Sequence, residues 1–253
     1  MTATFTKESP SAPARFYDAE AAGLRWLAAA GPGSARVVKV LDVRDDKITL
    51  ERLTPADPTR SAAEAFGRRL AVTHAAGASA FGQGPDGLAG DGFIGRQPLT
   101  LRPEPSWGRF FAEQRLLPYA VLACERGNLS EPGLRSVEQV CRRLAAGQFD
   151  DGRSPARIHG DLWTGNAFFV RDAAVLIDPA AHGGHGLTDI AMLDLFGAPY
   201  LRAITAAYAE AAELPDGWTG LVGLHQLHPL LVHAVSHGPA YGDAAARMAR
   251  RYA

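Results

Sequence analysis

Lysine is scarce in this sequence: the 26 basic residues include only Lys7, Lys39 and Lys47, and arginine supplies the rest. Any chemistry that needs an ammonium group therefore has three candidates. Cysteine is scarcer still. Cys124 and Cys141 are too few for a disulfide framework, and neither stands at a metal-ligand spacing, so both are expected to pack as apolar side chains. No apolar run approaches the ~18 residues of a membrane-spanning helix. Residues 1–8 carry no apolar segment of a signal peptide, so the expectation is a cytoplasmic protein without membrane contact. An excess of one charge is lacking too. The 26 basic and 27 acidic residues leave a formal net charge of −1, which provides no bulk attraction to nucleic acid. What remains is an ordinary globular composition, 47% hydrophobic and 21% charged, in a chain long enough for one domain or two unequal lobes.

The first third reads as mixed α/β. Residues 2–7 alternate polar and apolar with β-formers, as a short strand does. Residues 14–30 place Phe16, Ala19, Gly23, Trp26 and Leu27 at helical spacing, and Gly31-Pro32-Gly33 ends that helix. Residues 37–43 and 47–53 read as two strands joined by the acidic turn Arg44-Asp45-Asp46. From Asp57 onward the pattern is mostly helical, over 61–76, 106–122, 134–146, 190–213 and 221–237, with a Gly/Pro-rich loop over 81–105. Residues 157–178 break this pattern with two short apolar runs around a polar centre. The composition shift at Thr54-Pro55-Ala56-Asp57-Pro58 places an expected lobe boundary, giving 1–55 and 56–253.

The polar centre carries the chemistry. Arg157-Ile158-His159-Gly160-Asp161-Leu162-Trp163-Thr164-Gly165-Asn166 contains H-x-D-x-x-x-x-N, the spacing of the kinase catalytic loop. Twelve residues after Asn166, Val175-Leu176-Ile177-Asp178-Pro179 sets an acid directly after an apolar strand. Phosphoryl transfer needs a carboxylate that accepts the proton of the attacking hydroxyl. It also needs oxygen ligands that hold Mg²⁺ on the nucleotide phosphates. Asp161 fits the first role, and Asn166 and Asp178 fit the second. A polar β-turn built on Asp and Asn is the plain alternative for the loop alone; the strand-terminal Asp178 favours the site. His159 is expected to pack and hydrogen-bond the loop rather than to transfer a proton.

His159-Gly160-Asp161-Leu162-Trp163-Thr164-Gly165-Asn166 resembles the HGDLWxGN signature of the fructosamine (ketosamine) kinases. Ile177-Asp178-Pro179-Ala180, Gly184-His185, Thr188-Asp189-Ile190-Ala191-Met192 and Leu195-Phe196-Gly197 follow in the same order as in that family. Trp107 with Phe110-Phe111 and Arg115-Leu116 matches as well, so the resemblance covers nearly the whole chain. It implies an α+β, two-lobed protein-kinase-like fold, with a small β-containing N-terminal lobe and a larger, mostly helical C-terminal lobe. It implies that Lys7 pairs with the nucleotide phosphates, that Glu20 is its helix partner, and that residues 48–53, Glu51 among them, form the hinge that binds adenine. Trp163 and His233 are expected to shape the sugar pocket, because an aromatic face packs on the apolar face of a sugar; core packing is the alternative for Trp163.

The implied activity is ATP- and Mg²⁺-dependent phosphorylation of a sugar hydroxyl on a small or protein-bound ketosamine, a deglycation reaction. The alternatives are a kinase of the same fold acting on an aminoglycoside or a choline-like alcohol, and a non-catalytic binding protein. The family has two strands and a Gly-rich loop ahead of the lysine, where this sequence has six residues. The expectation is weak nucleotide binding, with a misassigned start, a shortened working site and lost activity as the open readings. Two further departures, Leu101 where Asn is common and His237 where Phe is, are expected to repack the pocket. His225, His228, His233 and His237 are not expected to hold zinc, since Pro229 interrupts their spacing and no carboxylate or cysteine joins them. His185 is expected to fix the Gly-Gly turn.

Overall fold

The computed structural model describes residues 3–253; Met1 and Thr2, where the first expected strand begins, lie outside the described residues. Strand β1 (Thr4–Glu8) leads to helix α1 (Phe16–Ala28), followed by β2 (Arg36–Val37), β3 (Val40–Arg44) and β4 (Lys47–Glu51). Arg44 faces Lys47, so Asp45-Asp46 form a two-residue hairpin turn. β1 pairs antiparallel with the other edge of β4, with Lys7 opposite Ile48. Alternate residues of a strand share a face, and on β4 Ile48 and Leu50 are the buried pair, packed with Tyr17, Ala21 and Leu24 of α1. Glu20 is also buried on α1 and reaches Lys7 of β1.

The rest is mostly helical. Helix α2 (Arg60–Ala75) starts at Thr59, whose hydroxyl accepts the Ala62 N–H at 3.1 Å. A small hairpin, β5 (Gly92–Ile94) and β6 (Gln97–Leu99), follows. Next come α3 (Trp107–Phe110), a π-helical stretch over Phe111–Leu116, α4 (Leu117–Glu125) and α5 (Glu131–Ala145). Strands β7 (Ala156–Ile158), β8 (Ala167–Val170), β9 (Ala173–Leu176) and β10 (His182–Gly184) carry the central motif. Helices α6 (Leu187–Phe196), α7 (Leu201–Ala211), α8 (Val222–His237) and α9 (Pro239–Ala249) close the chain. The largest core cluster joins α3–α5 to α8 and α9; a second joins α1, α2, α6 and α7 to the β8–β9 hairpin. Cys141 is buried in the first, where burial pushes its thiol up to about 12, and Cys124 packs half-buried against it. Among the described residues no helix is long and apolar enough to cross a membrane.

Three local expectations need correction. Residues 37–43 are not one strand: Arg36–Val37 run parallel to β9 and the Val38 N–H donates to the Leu176 carbonyl, while Val40–Arg44 pair with β4. Apolar alternation does not reveal which sheet a strand joins. The helix expected over 190–213 is two, because Gly197 with φ 74° ends α6 and Pro199 precedes α7. The loop over 81–105 holds the β5–β6 hairpin. The helix expected over 221–237 is present as α8, with Pro229 inside it.

Candidate active site

β7 delivers the loop that begins at His159, and β10 backs it. His159 is buried, and its Nε2 meets the Ile177 carbonyl at 2.8 Å while its Nδ1 accepts the Asp161 N–H at 3.2 Å. A carbonyl can only accept, so Nε2 carries the proton and the ring is neutral. Burial holds its pKa below the ordinary value. At Gly160 φ is 80°, and a Cβ there would collide with the Ala180 carbonyl, so the loop requires glycine. A short 3₁₀ turn, Thr164–Asn166, then buries Asn166. Its Nδ2 donates to the Asp161 carbonyl at 2.8 Å and stands 3.3 Å from Asp161 Oδ2, which leaves Oδ1 as an oxygen ligand. The Asp161 carboxyl is pushed up to about 7 by burial first and by the charges of Asp178 and Asp189 next, against the Asn166 hydrogen bond.

Three parts of the chain meet at Lys7. Its Nζ donates to both Glu20 oxygens at 2.8 Å and to Asp178 Oδ1 at 2.6 Å, across 171 positions of sequence. Burial works against the ammonium, but the two carboxylates outweigh it and raise the Lys7 pKa. Burial likewise pushes the Glu20 carboxyl up, against the pull of Lys7. Asp178 follows β9 in a left-handed conformation, φ 53°, uncommon for a residue other than glycine and found where a side chain is aimed by its surroundings.

Two cavities share this junction. One, of about 390 Å³, is an apolar slot between Phe5, Val38, Leu50, Leu53, Phe168 and Ile177, with Lys7 and Asp178 at its end. The other, of about 310 Å³, holds Lys7, Glu20, Asp161, Asn166 and Asp178, with walls from α1 and the β5–β6 hairpin. Trp163 lines this second cavity, 42% exposed, with its ring against Gly165. Glu51 borders the apolar slot, while its carboxylate accepts the Lys39 N–H at 3.1 Å and pairs with Arg36 at 3.5 Å. His233 is not among the residues lining either cavity; its ring packs between Phe196, His237 and Tyr241 on the α8–α9 side. His185 fixes its turn through Asp151 at 3.1 Å and the Leu187 N–H at 3.2 Å.

Two buried groups were not anticipated as parts of the site. Asp189, fully buried, accepts the backbone N–H of His159 at 2.7 Å and of Gly160 at 2.9 Å, and pairs with His74 at 3.0 Å. Burial opposes its charge, but these partners outweigh it and hold its pKa down. His74 is in turn bonded to the Tyr208 hydroxyl at 2.8 Å. An acid in the first turn of a mostly apolar helix, which also carries Asp194, is too common a pattern to mark Asp189 from sequence. Arg115, on the π-helical stretch, is buried over the Phe110 ring and donates to the Thr100 carbonyl at 2.9 Å. Burial pulls its pKa down to about 10.

The fructosamine kinase family model matches residues 1–253. The Thermus thermophilus protein named "Probable ketoamine kinase" is 31% identical over 235 residues, covering 93% of this chain and 82% of its own length. A crystal structure from Thermobifida fusca, assigned as a fructosamine-3-kinase, superposes with a TM-score of 0.91 at 44% identity, over 99% of this chain and 85% of that one. The ADP-bound aminoglycoside phosphotransferase APH(2'')-Ib superposes with a TM-score of 0.59 at 11% identity, over 89% and 78% of the two chains, a likeness of fold alone. The fold is thus the kinase-like one of the phosphotransferases, and the chain belongs to the fructosamine kinase family of small-molecule kinases.

Proposed function

We propose that the protein transfers the terminal phosphoryl group of ATP to a sugar hydroxyl of a ketosamine, free or protein-bound, and so makes the adduct labile for deglycation. The observation that carries this reading is the junction of two unlike cavities at Lys7 and Asp178. An apolar slot suits a flat purine on one side, an acidic floor suits a hydroxyl on the other, and the cation between them suits phosphates. On this reading residues 1–55 form the nucleotide-side lobe and residues 56–253 the acceptor side, and the reaction runs in the cytoplasm. The backbone of residues 48–53, Glu51 included, borders the purine, and Glu20 holds Lys7 toward the phosphates.

Among the described residues no three His, Cys, Asp or Glu side chains could hold a metal ion by themselves. The Asn166 Oδ1 and the Asp178 carboxylate are hard oxygens that fit Mg²⁺ when nucleotide phosphates complete the shell, as this ion prefers. Bound Mg²⁺ supplies neutralisation of the phosphate charge. Asp161 takes the proton of the acceptor hydroxyl as its oxygen bonds to the terminal phosphorus and ADP leaves. Trp163 packs on the sugar.

The test is ADP release with Mg-ATP and a panel holding the fructose adduct of lysine, an aminoglycoside and choline. Turnover is expected on the ketosamine, with Asp161→Asn lowering kcat by ~10²-fold or more, the lower range of a general base. Turnover of the aminoglycoside in place of the ketosamine overturns the acceptor assignment, and an unchanged kcat in Asp161→Asn overturns the base.

A further inference from the structure

The acidic cavity carries charges in two places. Its floor holds Glu20, Asp161 and Asp178 around Lys7, and its rim carries Arg96 in the Gly95-Arg96 turn of the β5–β6 hairpin. The wall between them is apolar, with Phe16, Leu88, Phe93, Leu99 and Leu101. Phe16 and Phe93 pack ring on ring at 5.3 Å, which ties the hairpin to α1. Arg96 is held in place: Nη1 donates to the Ser11 carbonyl and hydroxyl, and Nη2 to the Ser9 hydroxyl, each at 3.1 Å. These acceptors are neutral, so they orient the guanidinium without cancelling its charge. Arg96 lines the acidic cavity and not the apolar slot, whereas Lys7 and Asp178 line both. It therefore stands on the acceptor side of the phosphate junction.

A sugar whose hydroxyl meets Asp161 fills the floor. The group carried by its amine then runs along the apolar wall toward the rim, where an oriented guanidinium matches a carboxylate. Within the ketosamine reading, on which this rests, we infer that the preferred acceptor is the sugar adduct of a free amino acid, and that Arg96 recognises its carboxylate. The apolar wall favours an amino acid with an apolar side chain.

Steady-state kinetics on the fructose adducts of phenylalanine and of phenylalaninamide, its neutral counterpart, test this in the wild type, Arg96→Ala and Arg96→Lys. The wild type is expected to favour the carboxylate by ~10-fold in kcat/KM, mainly through KM, as one partly exposed charge-assisted pair provides. Arg96→Ala should erase that preference and Arg96→Lys keep part of it. Equal use of both adducts by the wild type overturns the inference. An equal loss on both in Arg96→Ala also overturns it, because release of the hairpin from Ser9 and Ser11 would act that way. A change confined to the KM for ATP overturns it by assigning the guanidinium to the nucleotide phosphates. If neither adduct is phosphorylated, the ketosamine reading itself falls and this inference with it; phosphorylation of both without preference leaves that reading standing.

Discussion

As the proposed base, Asp161 accepts a proton only when ionised, and its carboxyl is pushed up to about 7 by burial and by its acidic neighbours. The acceptor kcat/KM should therefore fall about tenfold per pH unit below that value and level off above it, because kcat/KM reports the free enzyme. A profile measured from pH 5.5 to 8.5 checks this, and a flat line would place the base elsewhere. At this scale the sequence was informative where chemistry restricts the choice. The loop spacing singled out Asp161 and Asn166, whereas the reading of Lys7, one of three lysines, came from the family resemblance. The sequence was silent on Asp189, whose role depends on bonds to backbone N–H groups 29 and 30 positions away. His233, expected near the sugar because it is aromatic and polar, packs instead against Phe196 and Tyr241; aromatic character alone does not say which way a helix faces.

The catalytic loop is held as an element from two sides. On the cavity side, Trp163 lies against Gly165, and a Cβ there would run into the ring. Gly165→Ala should tilt the indole and raise the acceptor KM by ~10-fold or more, since small misplacements near a reacting group are costly, while the KM for ATP changes little; a two-substrate kinetic analysis separates the two. On the buried side, Asp189→Ala leaves two loop N–H groups and His74 without their acceptor. Loss of a buried charged partner destabilises by ~3–5 kcal/mol, so urea unfolding should show a loss of unfolding free energy of that size, and a change below ~1 kcal/mol would mean that water replaces the carboxylate. Element boundaries were legible where punctuation is strong, as at Gly31-Pro32-Gly33. They were not legible where pairing decides, as for Arg36–Val37, or where a hairpin sits among glycines and prolines, as for β5 and β6.

Over the whole molecule, buried histidines and buried acids pull stability in opposite directions. His159, His182, His225 and His228 are held neutral, their pKa values lowered by burial first. Asp161 and Glu20 have raised values. Between pH 5 and 6 the unfolded chain binds protons on those four imidazoles that the folded chain refuses. The folded chain keeps protons on two carboxyls that the unfolded chain has released. More imidazoles than carboxyls are shifted, His233 among them, so the unfolded state binds more protons and stability should fall as pH drops through this window. Urea midpoints at pH 7.5, 6 and 5 check the slope; a constant midpoint would mean that the histidines titrate normally in the fold. Composition suggested a lobe boundary near residue 55, yet β2 joins the sheet of β8 and β9, and Val170 and Val175 complete the core under β4.

That shared core has a consequence for synthesis on the ribosome. β1, β3, β4 and α1 leave the exit tunnel long before Val170 and Val175 exist, so the core they share with those two residues stays incomplete until residues 170–175 have been made. Domains usually fold as units while the chain is still growing. Here the small sheet and α1 can meet early, but the last part of their core is encoded more than a hundred residues later, and incomplete cores of this kind are where growing chains expose apolar surface.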